Sequence, residues 1–231
     1  LFQLIPKASS YKDTYASLSG LELLDTSAVT DLSYLFTDYK PTVAPDLDLS
    51  SWDVSNVTNM TGLFYTTGFS YMGFSGTRYG RTLKSLNLSG WNTSNVTNMC
   101  LMFHGTKING QLDLSSWNVS NVTDMSYMFE SCEFGGLNLN TWNTGKVTTM
   151  KEMFTHGYTG KTTGLKDLNT QNVTDMSKMF FHASVKGCAK DEFKNWKVSK
   201  VTSTSQMFGS ESVNYYNDPS YFYELDLSGW D

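Results

Sequence analysis

The chain has 231 residues, 39% of them hydrophobic and only 17% charged, with a net charge of −5 and a pI near 5.2. That balance offers nothing to phosphate backbones or anionic membrane surfaces, and a neutral exterior of Ser, Thr and Asn is unlike that of a charge-rich enzyme. No stretch approaches the ~18 consecutive apolar residues of a membrane span.

Residues 1–17 carry no pattern and are expected to form an N-terminal cap. From residue 18 to 231 a block of the form W-N-x-S-N-V-T-x-M-x-x-M-F recurs, with its Val at positions 29, 57, 96, 122, 147, 173 and 201. The spacings are 28, 39, 26, 25, 26 and 28 residues. Units this small cannot bury a core alone and must stack, so the chain is expected to be a solenoid of about seven repeats, the last one truncated. The first repeat has Leu24 where Trp belongs, and the chain closes on Leu225-Asp-Leu-Ser-Gly-Trp-Asp231, half of another repeat. Together with the opening Leu1, this reads as a fragment of a longer protein, monomeric on its own.

Within each repeat the first expected element is a short strand. Leu47 and Leu49, Leu86 and Leu88, Leu112 and Leu114, Leu137 and Leu139, and Leu225 and Leu227 alternate with polar residues. That period of two points Leu inward and the row Asp48, Asn87, Asp113, Asn138 and Asp226 outward, on a parallel sheet. Next come Trp52, Trp91, Trp117, Trp142 and Trp196, each five residues before its Val. After Val, Met recurs at offsets 3 and 6 and Phe at offset 7. Offsets 0, 3, 6 and 7 predict one face of a short helix or 3-10 turn, with the Thr after each Val as its N-cap. The expected fold class is therefore an α/β, leucine-rich-repeat-like, right-handed coil, with a sheet on one face and short helices on the other.

All length variation falls between the Phe and the next Leu-x-Leu. Tyr65 to Ser85 holds 21 residues and Gly209 to Glu224 holds 16. Such insertions map to one edge of a solenoid, often the binding edge, and aromatic residues there supply rigid contact area. Tyr71, Phe74, Tyr79 and Arg81 in the first loop, with Tyr216 and Tyr221 in the second, are the candidate ligand-binding residues. No nucleophile–base set or phosphate loop is present, so no enzyme activity, catalytic residue or cofactor is expected. Cys100, Cys132 and Cys188 occupy three different registers and suit small apolar roles. His156 and His182 share a register, but a solvated pair explains them better than a metal site does.

The block from Trp117 to Phe129 resembles the repeat of BspA-like bacterial surface proteins and lipoproteins, and Cys132 falls where that repeat often carries a Cys. The resemblance spans about residues 18–231. It implies a leucine-rich-repeat-like domain, cell-surface or secreted, that adheres to an extracellular protein or glycan. A structural spacer or stalk is the alternative. An ice-binding Thr array is a minor one, since each Thr is expected to cap a helix rather than stand outward from a strand.

Overall fold

The computed structural model describes residues 18–41, 44–68, 71–72, 78–79, 82–185, 188, 191–209 and 225–230. Eight short strands occur among them: β1 (Asp46–Asp48), β2 (Tyr71–Met72), β3 (Arg78–Tyr79), β4 (Ser85–Asn87), β5 (Lys107–Asp113), β6 (Glu133–Asn138), β7 (Tyr158–Thr163) and β8 (Ser184–Val185). β1 pairs with β4 and β5 through β8 pair in sequence order, all in parallel, while β2 and β3 form an antiparallel hairpin. A second line of contact runs beside the sheets. Parallel bridges join Asp31, Asn59, Asn98, Asp124, Thr149, Asp175 and Ser203 in succession. The chain is a parallel-strand β-solenoid; six bridge steps at about 4.8 Å each give that column a length of about 29 Å.

The helices expected after each Val-Thr are not there. Among the described residues the only regular helical turns are two three-residue 3-10 segments, Leu21–Leu23 and Leu165–Asp167. Instead, alternate amides donate to the next turn: Leu32 to Asn59, Tyr34 to Thr61, Phe36 to Leu63 and Asp38 to Tyr65, at 2.9–3.0 Å. Between these bonds the chain makes local turns, with Leu35 N–H donating to Leu32 C=O and Tyr39 N–H to Phe36 C=O. The residues at offsets 5 and 9 from Val are left-handed: Tyr34 and Asp38 at φ 56° and 58°, Tyr127 and Ser131 at 60° and 53°, Lys178 and His182 at 53° and 52°. Two reversals per turn bring offsets 0, 3, 6 and 7 to the inside, which imitates the burial pattern of a helix. Each left-handed non-Gly residue costs about 1–2 kcal/mol, offset by the ladder bonds on either side of it.

Nor does the Thr column cap anything. Thr58, Thr97, Thr123, Thr148, Thr174 and Thr202 each donate both backbone N–H and Oγ1–H to the carbonyl of the preceding Thr, the backbone bonds at 2.8–2.9 Å. All of these threonines are exposed. Their hydroxyls supply a second donor to a backbone ladder, outside the core.

Inside, the registers read from the sequence hold. Phe36, Phe64, Phe103, Phe129, Phe154, Phe180 and Phe208 form one pile with centroids 5.2–5.6 Å apart, an offset aromatic stack. The Met at offsets 3 and 6 are buried beside it. Trp52, Trp91, Trp142 and Trp196 lie flat against the pile and donate their indole N–H to a carbonyl of the turn before, at 2.8–3.0 Å.

One irregularity interrupts the coil. β5 carries an extra residue between Ile108 and Gln111, so its register to β6 shifts there. A bulge of this kind disrupts the local ladder. Leu83 still bridges Ile108, yet Leu86 and Leu112 do not pair, and the sheet divides between β4 and β5. At this level the buried Trp117 indole N–H is left without a partner. The parallel stack of Leu-x-Leu segments is therefore two ladders rather than the one continuous sheet that the sequence predicts.

Candidate edge site

The first long loop leaves the coil after Gly68 and returns at Leu83. Gly68 is left-handed (φ 72°), and a Cβ there would press on the Leu83 backbone and side chain at 3.1 and 3.3 Å. The two ends of the loop thus meet at a residue that only glycine serves well. Tyr71 and Tyr79 are direct partners across the β2–β3 hairpin, so the loop holds its two candidate tyrosines opposite each other. Phe74 and Arg81, and Tyr216 and Tyr221 of the second loop, lie outside the described residues, as does the 1–17 cap.

The solenoid edge that precedes the loop carries a column of rings that the sequence reading did not assemble. Tyr65, His104 and Glu130 share offset 8 in successive repeats, so the coil piles them one turn apart. Tyr65 and His104 stack at 4.5 Å with planes 10° apart, and His104 Nδ1 lies 3.0 Å from Glu130 Oε2. Tyr34 meets Tyr65 edge-on, centroids 6.3 Å apart. Asp38 accepts from Thr66 Oγ1 and lies 3.5 Å from the buried Lys40 ammonium. Burial, followed by the Glu130 and Asp38 carboxylates, pushes the Tyr65 phenol above its ordinary range. Electrostatically, Tyr65 is a phenol held neutral between two acids.

Tyr34 is placed by an absence in the next turn. Offset 5 carries Tyr34, Gly62, Leu101, Tyr127, Glu152, Lys178 and Gln206 in the seven copies. Where the others project a side chain, Gly62 projects none, and the Tyr34 ring occupies the vacated space: a Cβ on Gly62 would collide with its Cδ1 and Cε1. Tyr34 as a whole remains 44% exposed. The lone Gly in an otherwise side-chain-bearing register was the signal in the sequence for this site.

Other groups are committed elsewhere. The outward row of Asp48, Asn87, Asp113 and Asn138 accepts the backbone N–H two residues on, at 2.9–3.1 Å. That hydrogen bond to Ser50 is the main reason the Asp48 carboxyl titrates below the usual range. His156 and His182 stack at 5.2 Å, as their shared register predicts. Among the described residues no group of three or more His, Cys, Asp or Glu converges as a metal would require. The three cysteines are free thiols; burial pushes the Cys188 thiol up to about 12 and raises that of Cys132 further, which leaves both unreactive. No helix among the described residues is long and apolar enough to cross a membrane.

A family model described as "Mycoplasma protein of unknown function, DUF285" matches residues 8–71, 72–187 and 135–218. Neither the curated proteins nor the solved structures yielded a match.

Proposed function

The chain belongs to the DUF285 family, and on that premise we propose that it is a surface-displayed repeat domain of the BspA-like kind, adhering to an extended extracellular partner through its edge loops. The right-handed sense of the coil and the kinship to leucine-rich repeats are part of the same proposal. The observation that carries it is an asymmetry among the described residues: the Thr column and the Asp/Asn row are spent on ladder bonds and Asx turns, whereas Tyr34, Tyr65 and His104 form a column of rings and the loop that follows Tyr65 carries the β2–β3 hairpin. Aromatic side chains there bring large contact area at low entropic cost.

The test is to shorten the Tyr65–Ser85 loop to about eight residues, comparable to the other return loops. The shortened protein is expected to unfold at the urea midpoint of the parent and to lose binding to cells and immobilised matrix proteins. Full retention of binding would overturn the adhesive reading. The alternative, a spacer, draws support from the unbroken bridge column from Asp31 to Ser203, and predicts that neither protein binds anything. The ice-binding alternative would rest on the exposed Thr column; the register two residues before it carries Asn56, Asn95, Asn121 and Asn172 but Lys146 and Lys200 in two other copies, and thermal hysteresis is its test.

A further inference from the structure

We propose that Asn109–Gly110, at the bulge of β5, is a site of spontaneous deamidation, where the Asn109 side chain closes onto the Gly110 nitrogen and the sheet acquires an isoaspartyl or aspartyl residue.

Asparagine loses its amide when the backbone nitrogen of the next residue reaches its side-chain carbon. That attack needs a side chain free to swing, a following residue without a Cβ in the way, and backbone that a ladder does not lock. Most asparagines of this coil fail the first condition. Those two residues before the Thr column give Nδ2 to a carbonyl of the preceding turn, as Asn121 does to Ser94 at 2.7 Å. Others accept the N–H two residues on, as Asn118 does from Ser120 at 3.1 Å. Among the described residues only Asn109, Asn140 and Asn195 keep their side chains out of such bonds. The second condition separates these three. Asn140 precedes Thr141 and Asn195 precedes Trp196, whereas Asn109 forms the one Asn-Gly pair in the chain. The third is met by the bulge. Pairing with β6 passes from Ile108–Phe134 directly to Gln111–Gly136, so Asn109 and Gly110 face no register partner there. Asn109 N–H does donate to Leu83 C=O at 2.9 Å, but the attacking nitrogen belongs to Gly110. The Asn109 side chain stands on the exposed side of the strand.

The Gly110 nitrogen bonds to Asn109 Cγ, the Cγ–Nδ2 bond breaks, and Nδ2 leaves as ammonia with the proton that Gly110 gives up. Water then opens the five-membered imide. Addition at Cγ restores the original peptide link and yields aspartate. Addition at the main-chain carbonyl leaves the link through Cγ, an isoaspartyl residue with one more methylene in the backbone. Either product puts a carboxylate where a neutral amide stood. The longer one extends a strand that already carries an extra residue, at the level where the sheet divides between β4 and β5.

Folded wild type and Asn109→Gln would be aged at neutral and mildly alkaline pH and digested. Mass spectrometry of the peptides reads the amide-to-acid mass gain, and fragmentation tells isoaspartate from aspartate. Equal urea midpoints before ageing would establish that the variant folds, as its exposed, unbonded side chain leads one to expect. The expected result is conversion at Asn109 severalfold faster than at Asn140 or Asn195, faster at the higher pH because the attacking amide must lose its proton, and lost in Asn109→Gln. Wild type unfolded in urea and aged in parallel is the reference. Conversion at Asn109 there but not in the folded protein would mean that β5 holds the pair rigid, which overturns the proposal. Equal conversion at Asn109, Asn140 and Asn195 in the folded protein would overturn it too.

Discussion

Trp117 differs from the other core tryptophans in one atom. Trp142 donates its indole N–H to Leu114 at 2.9 Å, whereas the Trp117 N–H is buried with no acceptor. Both rings are otherwise enclosed to the same degree, each 2% exposed. Replacing Trp142 with Phe removes a buried hydrogen bond, while the same change at Trp117 removes an unpaired donor. Trp117→Phe is therefore expected to cost about 1–2 kcal/mol less than Trp142→Phe, read as the difference between their urea midpoints; equal losses would mean that the Trp117 indole is satisfied. A second contrast concerns the column positions. Phe129 lies mid-pile between Phe103 and Phe154, and Phe129→Ala should cost about 3–5 kcal/mol. Thr123 contributes one exposed hydroxyl bond to Thr97, so Thr123→Ala should cost about 1 kcal/mol or less. A larger loss at Thr123 than at Phe129 would mean that the hydroxyl column, and not the aromatic pile, holds the turns together.

At the level of elements, glycines set how closely neighbouring strands approach. Gly160 in β7 lies against Gly135 in β6, where a Cβ would collide with the Gly135 carbonyl; at Gly110 in β5 a Cβ would stand 3.1 Å from the Lys84 oxygen. Backbone on backbone cannot yield as a flexible side chain does. Gly160→Ala is thus expected to destabilise by about 1–3 kcal/mol and Gly110→Ala by distinctly less, measured by thermal unfolding of the two variants side by side. The same scale shows where sequence reasoning succeeded and where it stopped. Leu alternation located β1 and β4 and the C-terminal halves of β5 and β6, because a period of two has few other readings. Offsets 0, 3, 6 and 7 located the buried residues but named the wrong element, since two left-handed reversals and a helix bury the same positions. Gly62 and Gly105 hinted at those reversals, but Tyr34, Leu101, Glu152 and Lys178 adopt left-handed backbone with side chains that ordinarily avoid it. The tertiary ladder imposes that conformation, and no local propensity reveals it. For the edge site, Tyr71 and Tyr79 were legible as part of an aromatic insertion. The Tyr34–Tyr65–His104 column was not, because it depends on residues brought together one turn apart.

Considered whole, the molecule is held by contacts between neighbouring turns, with the Phe pile, the Thr ladder and the bridge column all running along one axis. Stability in such a coil is close to a sum of turn and interface contributions, which is why removal of the hairpin should leave unfolding unchanged. The direction of those bonds has a mechanical corollary. Load applied to the two ends of the coil acts along the hydrogen bonds rather than across them, so it strains one interface at a time, as a zipper does. Each turn that peels away releases its 25 to 28 residues, or 39 where the first long loop is inserted, which is roughly 80–130 Å of extended chain in place of a rise of about 4.8 Å. A coil built this way yields to a sudden tug by paying out length, and the edge that carries Tyr34, Tyr65 and His104 stays folded until its own turns are reached.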